Sequence, residues 1–341
     1  QSVAKLREIG IMPDIIICRT EHDLDDANKA KIAMFCNVPV QNVVAFRDVE
    51  NTIYECPLDL RKDKIDRLVA DVLDLKSETP DLSAWQDFVD RIVNPTDEVN
   101  IAVVGKYIEL QDAYKSIYES LTISGAAHRT KVNVLKVDAE EIDDKNAAEI
   151  IGKVDGILIP GGFGDRGIEG KIEAARYARE QKIPFFGICL GMQIATIEFA
   201  RNVCGLAEAN STEFTKDSPH PVICLQEEQQ GVTDMGGSMR LGSCESILIA
   251  GTKSHELYGG ADRIHERHRH RYEFNSDYQN RLQEAGLVIA SVSEKEGLVE
   301  IIENPDHPFF VAAQFHPEFK SKPNLPHPLF FGFLEACLNR S

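Results

Sequence analysis

No two of the chain's eight cysteines are spaced as C-x-x-C, and no short regular interval separates them. A zinc ribbon or a disulfide framework would show such spacing, so both are set aside. Several of the cysteines lie inside apolar runs, where free cysteine serves as a small hydrophobe. That usage suits a reducing compartment, and a cytoplasmic location is expected. Long hydrophobic stretches are also missing: nothing approaches the ~18 apolar residues of a membrane span, and no charged-then-apolar leader opens the sequence. Basic residues are in deficit, 37 against 55 acidic, for a formal charge of −18. This balance repels nucleic acid and anionic membranes, so neither is expected as a partner and any phosphate site must be a local basic pocket. There is no G-x-x-x-x-G-K-[ST] phosphate loop and no internal repeat. The first residue is Gln1 rather than Met, and the chain opens directly on a helix-like segment, Ser2 to Ile9, as an internal piece of a longer protein would.

At 341 residues, two unequal domains are expected. Residues 14–18 (D-I-I-I-C) and 43–46 (V-V-A-F) read as short buried parallel strands, with a helix-like stretch from Ala27 to Cys36 between them. Apolar residues at helical spacing (Ile65, Leu68, Val69, Val72) give way to a polar segment, so a linker is placed over 76–98, holding a short helix with Trp85 and Phe88. From residue 99 strands and helices alternate: V-N-I-A-V-V-G, Ala113 to Ala127, V-N-V-L-K-V, Ala147 to Ile151, D-G-I-L-I-P, Glu169 to Glu180, P-F-F-G-I, then Leu190 to Arg201. After about residue 220 strands dominate, beginning with V-I-C-L. The expected fold is α/β: a doubly wound, mostly parallel sheet with an antiparallel extension, preceded by an incomplete α/β segment.

The run I-P-F-F-G-I-C-L-G-M-Q places Cys189 between Gly187 and Gly191, after an apolar strand and before a helix. A nucleophile elbow has this form, because a sharp strand-to-helix turn exposes the side chain and needs small neighbours where the backbone crowds. The positive end of the following helix favours a thiolate. Chance flanking by glycine at both positions is expected for roughly 0.04 cysteines in a chain of this composition. A buried structural cysteine is the alternative. A cysteine nucleophile needs a base, and A-A-Q-F-H-P-E-F (312–319) offers His316 with Glu318 two residues on, sharing a face if the segment is extended; a plain turn is the alternative. I-L-I-P-G-G-F-G (157–164) ends a strand in a glycine-rich turn whose N–H groups, with that of Leu190, could receive an oxyanion, although an ordinary loop has the same pattern.

Together and in this order, P-G-G (160–162), G-I-C-L-G (187–191) and H-P-E (316–318) resemble the class I glutamine amidotransferases. Within that class, K-Y-I-E-L-Q-D-A-Y-K-S (106–116), G-F-G-D-R-G-I-E-G (162–170), A-N-S-T-E-F (209–214), G-G-S-M-R-L-G (236–242) and E-R-H-R-H-R-Y-E (266–273) are similar to the CTP synthase family, as are residues 1–75. The resemblance implies that residues 1–75 are the C-terminal portion of an amidoligase (synthetase) domain, 76–98 the interdomain linker and 99–341 the amidotransferase domain.

By the same resemblance, Cys189 is the nucleophile, His316 the general base and then acid, and Glu318 its orienting group. Gly162, Leu190, Gly191, Met192 and Gln193 would contact glutamine, with Glu213 on its amino group and Arg271 on its carboxylate. Arg19, Lys31, Arg47, Asp48 and Val49 match nucleotide contacts. Arg166, Gly167 and Arg240 fall in segments tied to activation by GTP, although each arginine would ordinarily lie at the surface. The implied partners are glutamine, UTP, ATP and GTP, with Mg2+ and ATP used by the full-length enzyme and homo-oligomers expected of it. No cofactor or metal is expected within this chain, because the family's phosphate-binding loop and magnesium carboxylates precede the segment matched here. The implied function is glutamine hydrolysis, the ammonia serving ATP-dependent amination of UTP to CTP. The rival readings are the glutaminase part of another biosynthetic amidotransferase and a catalytically silent regulatory module. The arginine and histidine alternation over 265–271 also admits a nucleic-acid stripe or a metal site.

Overall fold

A computed structural model describes residues 1–76, 78–106, 108, 110–225 and 239–340. Residues 107 and 109, and residues 236–238 of the G-G-S-M-R-L-G segment, lie outside the described set. The chain divides into two compact units, Gln1–Asn94 and Pro95–Ser341.

The first unit runs α1 (Ser2–Glu8), β1 (Ile16–Thr20), α2 (Asp26–Cys36), β2 (Val43–Arg47), α3 (Cys56–Lys62), α4 (Ile65–Val72) and α5 (Ser83–Val93). β1 and β2 pair in parallel, Ile16 opposite Val43. Ile16 and Cys18 pack with Ala33, Val38 and Val43, but Ile17 on the opposite face is 52% exposed. β1 is therefore covered on one face, not two as its apolar run suggests, because strand side chains alternate and α2 packs on one side. Asp25 caps α2 by accepting from the Asn28 N–H. The region read as a linker contains α5, which belongs to the first unit: the Trp85 indole donates to the Tyr54 carbonyl at 2.7 Å, and Phe88 meets the Tyr54 ring edge-on.

The second unit comprises β3 (Asp97–Gly105), α6 (Lys115–Ala127), β4 (Thr130–Asp138), α7 (Ala147–Ile151), β5 (Gly156–Ile159), α8 (Ile168–Glu180), β6 (Phe185–Ile188) and α9 (Leu190–Asn202). It continues through β7 (Ala209–Ser211), β8 (His220–Cys224), β9 (Arg240–Leu248), α10 (Lys253–Leu257), β10 (Arg263–His270), β11 (Glu273–Phe274) and α11 (Gln279–Glu284). It ends with β12 (Val288–Ser293), β13 (Val299–Glu303), β14 (Phe310–Ala313) and α12 (Pro328–Leu338). Among the described residues, nine strands form one sheet in the order β10-β9-β12-β13-β14-β6-β5-β3-β4. The five from β14 to β4 are parallel and the four from β10 to β13 antiparallel, which is the expected doubly wound sheet with its extension. The V-I-C-L run departs from the expectation. As β8 it lies in a separate three-stranded sheet, parallel to β7 and antiparallel to β11.

Alternation along the central strands explains the layering. Ile157, Ile159 and Phe185 enter a core with α7, α8 and α9, while Leu158, Phe186 and Ile188 enter another with α6 and α12. Successive side chains of a strand point to opposite faces, so a strand buried on both sides must be apolar throughout. Among the described residues, no helix is long and apolar enough to cross a membrane.

Candidate active site

Cys189 is the single residue between β6 and α9, with φ 52° and ψ −101°, a conformation that L-residues rarely adopt. Its N–H donates to the Ala313 carbonyl at 2.7 Å, and its carbonyl accepts from Met192 and Gln193 as α9 begins. The flanking glycines are sterically required. A Cβ on Gly187 would lie 2.7 Å from the Gly191 carbonyl atoms, and one on Gly191 would lie 2.2 Å from the Ile159 carbonyl oxygen. β6, the elbow and β5 thus approach closely enough that only glycine fits, and the cysteine is pushed out of the strand line at the N-terminus of α9, where the first N–H groups have no helical acceptor.

β14 lies beside β6 with Ala313 opposite Ile188, which carries the chain past the elbow. His316 then begins a 3₁₀ turn, Pro317–Phe319, and the Nδ1 of His316 meets Oε1 of Glu318 at 2.7 Å. The pair is closed by this turn rather than by an extended segment. Two further elements hold the turn: Ser120 of α6 donates to the Glu318 carbonyl at 3.3 Å, and the His316 N–H donates to the Arg267 carbonyl of β10 at 2.8 Å. With Nδ1 on Glu318, Nε2 is the nitrogen left for the thiol. Burial draws the His316 imidazole toward neutrality, but the neighbouring Cys189 and Glu318 outweigh it and push its pKa up to about 11. The cysteine, histidine and glutamate are all buried.

Gly161 completes the pocket wall. A Cβ there would fall 2.8 Å from the His316 ring and 3.4 Å from the Cys189 Cβ, so the space between thiol and imidazole depends on this glycine. Gly162 faces Leu190, at 3.3 Å from its Cδ2 to an added Cβ. Leu190, Gly191, Met192 and Gln193 form the first turn of α9 and are buried. Glu213 follows β7 and accepts from the Gly164 N–H at 2.8 Å. Burial raises its pKa, while that N–H and the charges of Lys106 and Arg271 draw it down. The structure therefore brings Glu213 and Arg271 into one electrostatic neighbourhood at the glycine loop.

Two residues at this site escape the motif reading. Lys106 is buried, bonds the Phe163 carbonyl and lies 3.6 Å from where a Gly164 Cβ would be; its place at the head of K-Y-I-E-L was the available signal. Gln314 is fully buried beside Cys189, and only its position two residues before His316 could have drawn attention to it.

Arg166 is half-exposed, bonds the Lys106 carbonyl and pairs with Glu140 at 3.5 Å. Gly167 takes φ +71° to start α8. Arg240 is not the surface arginine expected from its type. Its side chain is largely, though not fully, buried, 2.5 Å from Glu300 and 3.9 Å from Glu273. β10 alternates as expected, with Glu266, His268 and His270 buried and Arg267 and Arg269 exposed. The two histidine rings bond each other at 2.9 Å, and among the described residues no cluster of three or more ligand side chains could hold a metal ion.

In the first unit, a cleft of about 700 Å³ is lined by residues that include Arg47, Asp48 and Val49, with Lys29 and Lys62. Arg19 pairs with Asp48 at 2.6 Å. Lys31 is exposed on α2 and is not among the lining residues; Lys29 takes that place.

The class follows from this architecture and from the match of residues 109–336 to the family model for class-I glutamine amidotransferases. Residues 1–75 match the model for the CTP synthase N-terminus. The CTP synthase of Caldanaerobacter subterraneus subsp. tengcongensis is 54% identical over 338 residues, 99% of this chain and 63% of that protein. That of Methanococcus maripaludis is 50% identical over 345 residues, 99% of this chain and 64% of that protein. Among solved structures, the glutaminase domain of Trypanosoma brucei CTPS with bound acivicin is 40% identical with a TM-score of 0.67, covering 71% of this chain and 94% of that one. The chain belongs to the CTP synthase family of class I glutamine amidotransferases, and it spans about 63% of the length of the curated relatives it matches.

Proposed function

We propose that the second unit hydrolyses glutamine through Cys189, His316 and Glu318. The observation that carries the reading is the strained Cys189 elbow at the head of α9 with a Glu318-anchored imidazole turned to it. The thiolate attacks the side-chain amide carbon, and the oxyanion forms among N–H groups of the glycine loop and the first turn of α9. The C–N bond breaks as His316 delivers a proton to the departing nitrogen, releasing ammonia and leaving a γ-glutamyl thioester. His316 then takes a proton from water, which attacks the thioester and frees glutamate and the thiolate. Glu213 and Arg271 hold the amino and carboxylate groups of the substrate, matching a zwitterion with opposite charges.

In the longer protein the ammonia serves the ATP-dependent amination of UTP to CTP. The first unit contributes Arg47, Asp48 and Val49, at the cleft, to nucleotide binding, and GTP activates through the segments around Arg166 and Arg240. Homo-oligomeric assembly and a cytoplasmic setting complete this reading, the latter in keeping with eight cysteines that form no disulfide. The test is to incubate the chain with glutamine and measure glutamate release for the native protein, Cys189→Ala and Cys204→Ala. Activity is expected in the native protein, to vanish in Cys189→Ala and to persist in Cys204→Ala. Equal loss in both would remove the special role of Cys189.

A further inference from the structure

Gln314 carries a donor aimed at the reacting sulfur. Its side chain is fully buried, and its Nε2 lies 3.8 Å from the Sγ of Cys189. The approach follows from the parallel register of β14 on β6, which sets Ala313 opposite Ile188 and so places the next residue of each strand side by side. An amide side chain can present either its N–H2 or its oxygen, and its surroundings decide which. Here the decision begins at a backbone carbonyl, which can only accept. Gln193 turns its N–H2 to the Tyr272 carbonyl at 3.1 Å, and the same group reaches Oε1 of Gln314 at 3.4 Å. With its oxygen accepting from Gln193, Gln314 is left with its N–H2 toward the sulfur.

We propose that Gln314 donates a hydrogen bond to the Cys189 sulfur, held in that orientation by Gln193 and the Tyr272 carbonyl, and that this bond steadies the attacking thiolate. The inference rests on the glutaminase reading above. A buried N–H···S contact is weak for a neutral thiol and strengthened for a thiolate, so it acts selectively on the charged form. The ionisable pair against the sulfur, His316 backed by Glu318, comes from the 3₁₀ turn and lies at a different approach: its nitrogen receives and returns the proton, whereas the amide of Gln314 holds its protons throughout. Gln314 is thus a donor to the reacting atom, distinct from the proton carrier.

The test is the rate of iodoacetamide alkylation of Cys189, followed by mass spectrometry of its peptide from about pH 6 to about pH 10, spanning the usual thiol range. Gln314→Met keeps the length and removes the donor. Near neutral pH its rate is expected to fall about ten-fold, as for loss of a hydrogen bond to a charged group, and the deficit should close at alkaline pH. Gln314→Glu keeps the shape and the acceptor for Gln193 but turns an oxygen to the sulfur, so its rate should fall further; this variant decides the matter if the methionine variant fails to fold. Gln193→Met, which frees the Gln314 amide to rotate, should lose about three-fold. With glutamine as substrate, Gln314→Met should lower kcat and leave KM nearly unchanged. Native alkylation rates in both Gln314 variants would overturn the assignment. Absence of glutamine turnover by the native chain, with the alkylation differences intact, would overturn the glutaminase reading and leave the Gln314 contact standing.

Discussion

Gly187 and Gly191 meet back to back across the elbow: a Cβ added to Gly187 would stand 2.7 Å from both the carbonyl carbon and the carbonyl oxygen of Gly191. The contact joins the end of β6 to the first turn of α9, and the residue between them, Cys189, takes a positive φ as a consequence. Displacement of the buried thiol from the strand line is thus a backbone property, set by the absence of two side chains.

Gly191→Ala tests that account. Its Cβ would sit 2.2 Å from the Ile159 carbonyl oxygen, so β5 or α9 must move. A loss of about 2 kcal/mol or more is expected in urea unfolding, together with loss of glutaminase activity. Gly205→Ala is the control. Its Cβ meets nothing within 4 Å, but its φ of +70° costs a side chain about 1 kcal/mol, with activity retained. Equal destabilisation by the two would mean that crowding at the elbow is not the constraint.

Arg271→Ala should raise the KM for glutamine by about ten- to a hundred-fold while changing kcat little, since a carboxylate contact persists from ground state to transition state. Steady-state kinetics decide it. A fall in kcat at constant KM would place Arg271 in the chemistry instead of in substrate binding.

His307 predicts a loss of stability in acid. Its Nε2 donates to the Ala178 carbonyl at 3.1 Å and its Nδ1 accepts from the Phe309 N–H at 3.2 Å, so the fold uses the neutral ring on both sides. Burial lowers its pKa to about 4. A histidine lowered in this way binds its proton more readily when unfolded, so its contribution is present above the unfolded value of about 6.5 and is lost as pH falls through 4. About 2 kcal/mol should disappear between roughly pH 7 and pH 5. Urea melts across that interval should show a shallower decline in His307→Gln; parallel slopes for the two proteins would refute the assignment.

The chain of 341 residues should form no CTP from ATP, UTP, magnesium and ammonium chloride. Ammonia bypasses the glutaminase, but phosphorylation of UTP requires a phosphate-binding loop, and no G-x-x-x-x-G-K-[ST] occurs in these residues. Accumulation of CTP above trace levels, read by chromatography, would show that the first unit is catalytically sufficient.

The elbow, the pairing of His316 with Glu318 and the alternating strands were legible because each is written within about ten consecutive residues, although the 3₁₀ turn that closes the pair was not. The same holds for β10, whose alternation places His268 and His270 inward. Other features arise between segments far apart in sequence. Arg240 carries no mark of burial; it is enclosed because β9 pairs with β12 and β12 with β13, which brings Glu300 against it. V-I-C-L reads as one more strand, and only its pairing with β7 and β11 assigns it to the small sheet. Sequence by itself determined which residues could serve as nucleophile, base and orienting acid, since those are local chemistries. Tertiary structure alone decided that Gly161 clears the space between thiol and imidazole and that the Gln314 amide presents nitrogen, not oxygen, to the sulfur. That orientation depends on Gln193, whose N–H2 is fixed by the Tyr272 carbonyl and meets the Gln314 oxygen, contacts that packing alone creates.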